Sequence, residues 1–492
     1  MSSVIASASS VNVADFGAVA DGSLITTTHI QQAIDSCAAT GGGTVFLPSG
    51  TYLVGTLNLR SDIEFRMDHG AVLKATTDLS QYQRHNEQLA GVFYTDGANN
   101  VTVRGGTIDG QGLAFMDTSR SKTVGAQEKR RTRQGQQFRN APSAPDDGPY
   151  EPLDRYHQMI VFTECTNLKL EDFTCINSPY WCFVIVHSQD IRISGLDIFN
   201  DLMIPNSDGI DLISCSNATI SDCRIYAGDD AIVVAGYGWH QGDPGFKNIK
   251  APSRNVNVTN CVLQSRSSGI RIGGHDQNPM SDYNFSNITI FDSNRGINIS
   301  VSDSCSLENV AFDNIHIETR LHTGDWWGQG EPINITAMQL LPDKPNIGKI
   351  RNLHFSNITC VGENSVVMIA DPQTSIENVY FTNFNFTLRK SRIEDEAGGN
   401  YDLRLNVDPD RSLYSADVPV FYIENARNLF FSQGNIGWDG ADKPYHTYAI
   451  DAVGVANMTI RDVTASAAPS QPKKSKPVRT RNCSGIKLDL IK

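Results

Sequence analysis

The segments Asn167-Leu168-Lys169-Leu170 and Asp190-Ile191-Arg192-Ile193 share one pattern, in which an Asn or Asp precedes two apolar residues that flank a residue of any type. A spacer and a turn-type Asn, Asp or Gly follow each segment. Further copies of the pattern begin at Asn100, Asn217, Asn255, Asp282, Asn309, Asn352, Asn378, Asn428 and Asn457. From Asn167 onward the copies start 23 to 50 residues apart, and four of the steps are 26 or 27 residues. Repetition at this period is typical of a solenoid, in which neighbouring repeats stack on each other.

Each repeat contains two or three short runs of alternating apolar and polar residues that are separated by turn residues. Such alternation indicates strands with one buried face, and periods typical of helices are nearly absent. A repeat of about 25 residues cannot enclose a core by itself, so its neighbours must cover it. The sequence therefore predicts an all-β fold, a right-handed parallel β-helix. The alternative is an up-and-down barrel or a propeller, which the lack of Asn-Gly hairpin turns between strands disfavours.

The N-terminal part of the chain has a different pattern. Ile30, Ala33, Ile34 and Cys37 follow helical spacing, which predicts an amphipathic helix over residues 27–39 after a run of Thr residues that can cap it. We expect this helix to cap the first coil, whose strand edges would otherwise be open to pairing. Residues 1–10 are expected to be flexible, and residues 11–465 to form the β-helix.

Composition limits the classes of function. The 492 residues are 40% hydrophobic and 19% charged, which indicates a globular chain, and no apolar run is long enough to span a membrane. The net charge of −13 disfavours nucleic acid as a partner.

The ten cysteines include no CxxC pair, which argues against a zinc site. The first residues do not resemble a secretory leader, so we expect a cytoplasmic protein if Met1 is the native start and an extracellular one if a leader has been removed. The oligomeric state is left open.

Four segments interrupt the repeat. Residues 113–157, 321–332 and 389–418 are predicted to be excursions from the solenoid, and residues 466–492 a loose basic tail. The first excursion is rich in Arg and Lys, for example at 129–133, and then in Pro. Long insertions of this kind commonly form the walls of binding sites, although a solvated charged loop is the simpler interpretation.

The most concentrated acidic residues occur in Asn206-Ser207-Asp208-Gly209-Ile210-Asp211 and Gly228-Asp229-Asp230-Ala231. Asp208 and Asp229 are 21 residues apart, close to one coil, so stacked coils would bring Asp208, Asp229 and Asp230 together. Clustered carboxylates raise each other's pKa, which allows one to stay protonated while another is ionised. Glycoside hydrolysis needs such a pair of an acid and a base. The alternatives are aspartates that only end strands, and a calcium site.

These two motifs on a β-helix resemble glycoside hydrolase family 28, the polygalacturonase family. Similar stretches run from Val13 to Gly22, from Gly41 to Gly50 and from Ile108 to Gly112. The resemblance implies inverting hydrolysis of pectic or related glycans by three aspartates, without a metal or a cofactor. Asp229 would be the general acid, and Asp208 and Asp230 would activate water. Gly228 would permit close backbone packing, and Asn206 could orient the acids and contact the substrate.

The chain departs from that family's pattern at three positions. Ser268 stands where the family carries a histidine between two glycines, and Asn298 and Ser300 replace an Arg and a Lys that bind the uronate carboxylate. The loss of two cations costs a uronate several kcal/mol, at ~1.5–3 kcal/mol per charged hydrogen bond. Arg271, His275 or the basic segment 129–133 could compensate. Otherwise the enzyme meets a neutral sugar at this place, and plain polygalacturonan is a doubtful substrate.

Aromatic residues could form platforms for sugar rings. Trp326 and Trp327 lie on the second excursion and are predicted to bind substrate, whereas Trp181 lies inside a repeat and is expected in the core. Two rival functions stay open at this stage. One is a polysaccharide lyase or epimerase on the same fold, and the other is a non-catalytic solenoid that binds glycans.

Overall fold

The computed structural model describes residues 9–85, 87–122, 148–238, 248–324, 326–340, 346–404, 413–415 and 417–491. Almost all strands pair in parallel with the equivalent strand of the next coil, for example Ile210–Ile213 with Ile232–Ala235. The chain is therefore a right-handed parallel β-helix, as predicted, since parallel connections are right-handed. This parallel pairing is unlike the antiparallel pairing of an up-and-down barrel.

One sheet of thirteen strands runs along one side of the solenoid and is called the thirteen-stranded sheet below. Its first two strands form an antiparallel hairpin, and the others are parallel. In chain order its strands are Gln83–His85, Gln88–Asp96, Gln158–Thr163, Trp181–Val186, Ile210–Ile213, Ile232–Ala235, Ser268–Gly274, Arg295–Val301, Ile333–Ala337, Val366–Ala370, Phe421–Glu424, Ile450–Val453 and Val478–Arg481.

A second sheet of 23 strands forms the remaining sides. In later coils two of its short strands merge into one long bent strand, such as Met280–Ser293. Its strands are Ser9–Asn12, Asp21–Ile25, Gly43–Leu47, Gly50–Val54, Ile63–Met67, Ala71–Ala75, Asn99–Arg104, Thr107–Asp109, Thr166–Glu171, Thr174–Ile176, Gln189–Ser194, Asp197–Phe199, Ser216–Ser221, Arg224–Ala227, Ser253–Thr259, Val262–Ser265, Met280–Ser293, Leu307–Thr319, Ile350–Gly362, Ile376–Arg389, Ala426–Asp439, Ala456–Ala465 and Ser484–Ile491.

The Asn or Asp that opens each sequence repeat has a definite structural role. All eleven of these residues have a positive φ, between 56° and 63°, a conformation that Asn and Asp tolerate better than other side chains. Their side chains also bond from coil to coil. Asn352 donates to Asn309 over 3.0 Å, and Asn378 donates to Asn352 over 2.9 Å. The repeated Asn and Asp residues thus lie at the same turn of successive coils, and hydrogen bonds between their side chains connect these coils.

The core lies inside the coils. Inward side chains of stacked strands are buried, and Phe285, Phe312, Phe355, Phe381 and Phe431 form a column with ring centroids 4.7 to 5.1 Å apart. Stacked aromatic rings add to the stabilisation from buried apolar area.

The N-terminal helix is confirmed at Thr27–Ala39, and it buries Ile30, Ala33, Ile34 and Cys37. The predicted Thr cap is wrong at Thr26, whose hydroxyl accepts a hydrogen bond from the Val19 amide, outside the helix. The remaining helices are Glu394–Ala397 and the 3-10 turns Val13–Phe16, Leu79–Gln81 and Gly112–Phe115. No helix of the described ranges is long and apolar enough to cross a membrane.

The expectation of a loose tail over 466–492 is wrong for its second half. Val478–Arg481 pairs with Ile450–Val453, and Ser484–Ile491 pairs with Ala456–Ala465, so the tail adds a last coil. Arg479 and Arg481 both contact the buried carboxylate of Asp451, whereas Lys473, Lys474 and Lys476 are exposed.

Two of the predicted excursions contain short antiparallel hairpins. Met116–Ser121 pairs with Tyr150–Pro152, and Asn400–Asp402 pairs with Leu413–Ser415. Residues 321–332 form no strand or helix in their described part. The basic segment 129–133 lies outside the described residues.

Candidate active site

The three predicted aspartates lie where strands of the thirteen-stranded sheet begin. Asp208 comes two residues before Ile210–Ile213, and Asp230 comes two residues before Ile232–Ala235. The two coils are in register, because Ile210 pairs with Ile232 and the Gly209 amide donates to the Asp230 carbonyl over 2.9 Å. One carboxylate oxygen from each of Asp208, Asp229 and Asp230 lies within 4.8 Å of the other two.

Close backbone packing holds the two acidic segments together. The Ser207 hydroxyl accepts a hydrogen bond from the Gly228 amide over 3.0 Å and donates to the Ile204 carbonyl over 2.9 Å. A Cβ at position 228 would overlap that same carbonyl oxygen, so only glycine fits beside Asp229. The sequence prediction of close packing at Gly228 is confirmed.

Asp230 is held by three donors from the next coil. Its Oδ1 accepts hydrogen bonds from the Ser267 hydroxyl at 2.7 Å and the Ser268 amide at 2.9 Å. Its Oδ2 accepts from Arg271 at 3.1 Å. Arg271 is in turn fixed by the Tyr237 hydroxyl at 2.9 Å. Donors of this kind fix the orientation of a carboxylate.

Asp229 is in a different electrostatic environment. Burial, followed by repulsion from Asp230, raises the pKa of Asp229 to about 7, although Arg271 acts in the opposite direction. Burial also raises the pKa of Asp208 well above its usual range, and Asp229, Asp211 and Asp230 add to this shift. The cluster therefore holds at least one proton near neutral pH, since the buried carboxylates disfavour each other's ionisation.

Asn206 connects the acids to the preceding coils. Its Nδ2 donates to Asp229 Oδ2 over 3.1 Å, and its Oδ1 lies 3.5 Å from a guanidinium nitrogen of Arg155. Asn206 has a left-handed backbone conformation with φ of 60°, which directs its side chain toward the acid. Asn206 is thus positioned to orient Asp229, the role that the sequence analysis predicted.

The acids open into a cavity of about 380 Å³. Six predicted substrate-binding or orienting residues line this cavity together with the three aspartates: Asn206, Arg271, His275, Asn298, Ser300 and Trp327. A cavity of this size with convergent polar groups is typical of a small-ligand or sugar site. The assignment of these residues to substrate binding stays a prediction.

Ser268 and Trp326 have other environments. The Ser268 side chain is fully buried behind the cavity, and its contact with the site is the backbone amide that bonds Asp230. Trp326 is 5% exposed and does not line the cavity. His275 lies on the lining and stacks on the Tyr237 ring with centroids 5.2 Å apart. Burial and the nearby Arg271 lower the pKa of His275 to about 4, so its imidazole is neutral at pH 7.

A row of outward side chains extends from Arg271 along the thirteen-stranded sheet. Register places Arg271 beside Asn298 and Asn298 beside Asn334, while Ser300 lies beside Thr336. Asn334 donates to Asn298 over 2.8 Å, and the hydroxyls of Thr336 and Ser300 lie 3.3 Å apart. Beyond Arg271, this row is polar but uncharged.

Residues from two of the excursions meet the strand Arg295–Val301 at the C-terminal side of the cavity. We call this group the end wall; it is made of Arg295, Trp327, Glu331, Asp402 and Arg404. Arg295 pairs with Glu331 over 3.2 Å, and Arg404 donates to Asp402 over 2.9 Å. The Arg404 guanidinium lies 4.6 Å from the centre of the Trp327 ring. Although burial acts to raise the pKa of Asp402, the guanidinium groups of Arg404 and Arg295 lower it to about 2. The end wall is therefore a closed network of two cations and two anions.

Sequence reasoning missed several residues of the cavity. Trp181 is buried in an apolar cluster with Val184 and Val233, as expected, but it also lines the cavity beside Tyr180, which the sequence analysis did not predict. Ser267, Asp402 and Arg404 also line it. Ser267 adjoins a family motif and could have been identified from it, whereas no local pattern marks Asp402 or Arg404, which come from a distant excursion.

The trio also has the donor type of a cation site, so we asked whether a resident metal fits. Calcium takes six to eight oxygen ligands. The described residues supply three carboxylates here, and both oxygens of Asp230 already accept hydrogen bonds from Ser267, Ser268 and Arg271. A guanidinium beside the acids also repels a cation. The donor set thus fits acid–base chemistry better than a resident metal.

The sequence model of "Glycosyl hydrolases family 28" matches residues 134–392, and that of "Rhamnogalacturonase A/epimerase, pectate lyase-like" matches residues 10–82. The protein named "Probable polygalacturonase" of Vitis vinifera is 26% identical over 317 residues, which cover 61% of this chain and 58% of that protein. The match therefore spans less than two thirds of the grape protein's length.

Two further proteins resemble the chain over more of its length. Exopolygalacturonase A of Aspergillus niger is 25% identical over 415 residues, 79% of this chain and 81% of that protein. The solved family 28 exopolygalacturonase of Yersinia enterocolitica superposes with a TM-score of 0.65 at 18% identity, covering 99% of this chain and 79% of that chain. At this identity the structural match shows a shared fold.

Proposed function

This chain belongs to glycosyl hydrolases family 28, and we propose that it is a glycosidase that hydrolyses pectic or related polysaccharides with Asp208, Asp229 and Asp230. The observation that carries this proposal is the buried cluster of three carboxylates in which the pKa of Asp229 is raised to about 7. An acid that keeps its proton near neutral pH can protonate the leaving oxygen of a glycosidic bond.

The contacts of each aspartate support its role. Asp229, with its raised pKa, is the general acid, and Asn206 orients it through the 3.1 Å hydrogen bond. Asp230 is the base that takes a proton from the attacking water, because Arg271, Ser267 and Ser268 hold it in place. Asp208 is the second residue that we propose to act on the attacking water, and burial and the neighbouring Asp229 raise its pKa well above its usual range.

We propose that the reaction inverts the anomeric configuration. A retaining enzyme needs a carboxylate that attacks the sugar itself, whereas both oxygens of Asp230 already accept hydrogen bonds, which suits a base better than a nucleophile. One oxygen from each residue of the trio lies within 4.8 Å of the others, closer than the ~6.5–9.5 Å usual between the carboxyl groups of inverting pairs. Proton NMR of the first product shows whether its anomeric configuration is inverted or retained, and a retained configuration would overturn this assignment.

The residues that line the C-terminal half of the cavity support the proposal that a neutral sugar binds there. Asn298 and Ser300 carry no charge, and each arginine of this half already contacts a carboxylate: Arg271 contacts Asp230, Arg295 contacts Glu331, and Arg404 contacts Asp402. A uronate carboxylate placed there would lack an available cation among the described lining residues. Plain polygalacturonan is for this reason a poor substrate in our proposal.

The end wall supports cleavage near the end of a glycan chain. It closes the C-terminal side of the cavity with Trp327, Arg404 and the buried Glu331 and Asp402. In our proposal this wall limits the room for a glycan on the C-terminal side, so the sugar beyond the scissile bond is a chain end. We therefore propose exo action that releases a short product.

Reducing-sugar release with product sizing tests the proposal on polygalacturonan, rhamnogalacturonan, xylogalacturonan and neutral glycans. We expect turnover on a chain with neutral sugars, and a loss of at least about 10²-fold for Asp229→Asn, the usual contribution of a general acid. Asp35→Asn on the N-terminal helix is the matched control and should keep full activity. Binding without turnover on every substrate would instead favour a glycan-binding solenoid, and a product that absorbs near 235 nm would identify a lyase.

A further inference from the structure

A second cavity of about 760 Å³ lies on the N-terminal side of the acids. It is lined by Arg84, Asp154, Arg155, His157 and Tyr180 among others, and Tyr180 also lines the cavity of the trio. The two cavities are therefore adjacent parts of one groove, and the role of the second cavity is not explained by the catalytic residues.

Among the described residues, the two arginines of this second cavity are not paired with a carboxylate. Arg155 donates to the carbonyl oxygens of Pro179 and Pro205, and its guanidinium lies 4.5 Å from the centre of the Tyr180 ring. Within the described ranges, neither Arg155 nor Arg84 has a carboxylate within 4 Å. Asp154 is the one acidic group on the lining and is exposed. Burial, Arg155 and Arg84 lower the pKa of His157, so this ring stays neutral at pH 7. Two arginines and one aspartate leave a positive surplus.

This surplus contrasts with the other side of the acids, where each lining arginine is paired with a carboxylate. The backbone of Arg155 precedes the strand Gln158–Thr163, two coils before Asp208, or about 10 Å at the ~4.8 Å spacing of neighbouring strands. Its guanidinium reaches toward the trio and lies 3.5 Å from Asn206 Oδ1. Asn298 lies two coils beyond Asp230 in the opposite direction. The groove thus presents cations on one side of the trio and neutral groups on the other.

We propose that the second cavity binds the carboxylate of a uronic acid residue through Arg155 and Arg84. A guanidinium presents parallel N–H donors that match the two oxygens of a carboxylate. The enzyme would then recognise an acidic sugar on the N-terminal side of the scissile bond and a neutral sugar on the C-terminal side. The substrate class is a glycan in which a uronic acid adjoins a neutral chain-end sugar. This assignment rests on the proposed function and adds the substrate class to it.

Binding tests the subsite without turnover. In the Asp229→Asn background, isothermal titration calorimetry compares a uronate-containing pectic oligosaccharide with the same oligosaccharide after reduction of its carboxyl groups to alcohols. We expect the acidic form to bind at least about tenfold more tightly, equivalent to about 1.4 kcal/mol. The double variant Arg84→Gln, Arg155→Gln should abolish this preference, and 0.5 M NaCl should weaken it. Arg192→Gln, a change of an exposed arginine outside both cavities, is the matched control.

The kinetics then separate the two proposals. Arg155 contacts Asn206, so Arg155→Gln can lower turnover on both substrates, and the ratio of kcat/KM for the acidic and the reduced form is the informative quantity. A ratio that falls about tenfold in the double variant supports the subsite. Equal binding of the two forms by the protein with both arginines intact overturns it, even where hydrolysis is observed. Preferential binding without any hydrolysis keeps the subsite and refutes the proposed function.

Discussion

The pairing of Arg271 with Asp230 predicts a coupled change in rate and pH dependence for Arg271→Gln. Arg271 donates to Asp230 Oδ2 over 3.1 Å, and its side chain is 22% exposed, so solvent screens this contact only in part. A hydrogen bond to a charged group is worth about 1.5–3 kcal/mol, which corresponds to ~10- to 150-fold. We expect kcat/KM to fall by a factor in this range, because Asp230, the base in our proposal, loses a donor that orients it.

The same variant should also shift the pH dependence of kcat/KM in a defined direction. Asp229 must be protonated to act as an acid, so activity falls as pH rises through its pKa of about 7. The positive charge of Arg271 favours the ionised form of Asp229 and lowers this pKa. Its removal raises the pKa, and the alkaline limb of kcat/KM should move to higher pH.

The assay is kcat/KM measured between pH 4 and 9 on the best substrate of the panel, with Arg271→Lys as the matched variant. Lysine keeps the charge but not the planar fork, so we expect a smaller loss of rate and an alkaline limb close to that of the unchanged protein. Thermal unfolding checks that each variant is folded. An alkaline limb that stays in place or moves to lower pH in Arg271→Gln would refute the electrostatic argument.

Three further predictions concern packing, the end wall and metals. Gly228→Ala should lower the free energy of unfolding by about 1–3 kcal/mol in denaturant unfolding, because the Cβ of the new alanine would overlap the Ile204 carbonyl oxygen. The control is Gly437→Ala, which should be tolerated because a Cβ there would lie 3.7 Å from the nearest atom of a non-adjacent residue. Arg404→Met removes a cation from the end wall and leaves the buried Asp402 without one of its partners, which should loosen the wall. Product sizing should then show longer products. Products of unchanged length would contradict the proposal that this wall causes exo action. Dialysis against EDTA should leave kcat/KM unchanged, and a loss that Ca²⁺ restores would assign the trio to a metal.

The sequence predicted the parts of the molecule that are local or periodic. The Asn and Asp residues at the repeat positions mark a turn that recurs in each coil, and the 21-residue step from Asp208 to Asp229 is short enough to place both acids on adjacent coils. The same reasoning fails for the end wall, because Arg295 and Asp402 are 107 residues apart and no repeat connects them. Excursions contribute single residues to the site, and their register is set by packing that no local pattern encodes.

The last coil is a second place where the sequence prediction failed, because a segment predicted to be loose forms paired strands. Composition predicted a loose tail, since Lys, Arg, Ser and Pro are frequent there. Strand pairing with the preceding coil and the contacts of Arg479 and Arg481 with buried Asp451 outweigh that composition. A basic segment is ordered when a buried carboxylate is available to it, and the sequence does not show which carboxylate is buried.

A β-helix lets substrate specificity change without disturbing the catalytic groups. The trio is fixed by contacts between adjacent coils, such as the bonds of Gly228 to Ser207 and of Asp230 to Ser268. The flanking residue Asn298 lies two coils beyond Asp230, about two strand spacings away, so a change there leaves these bonds intact. The groove can therefore carry uncharged residues at Asn298 and Ser300 while the three aspartates keep their contacts. On this argument, a charge-changing substitution at Asn298 should alter which glycan is cleaved far more than the pH at which Asp229 loses its proton.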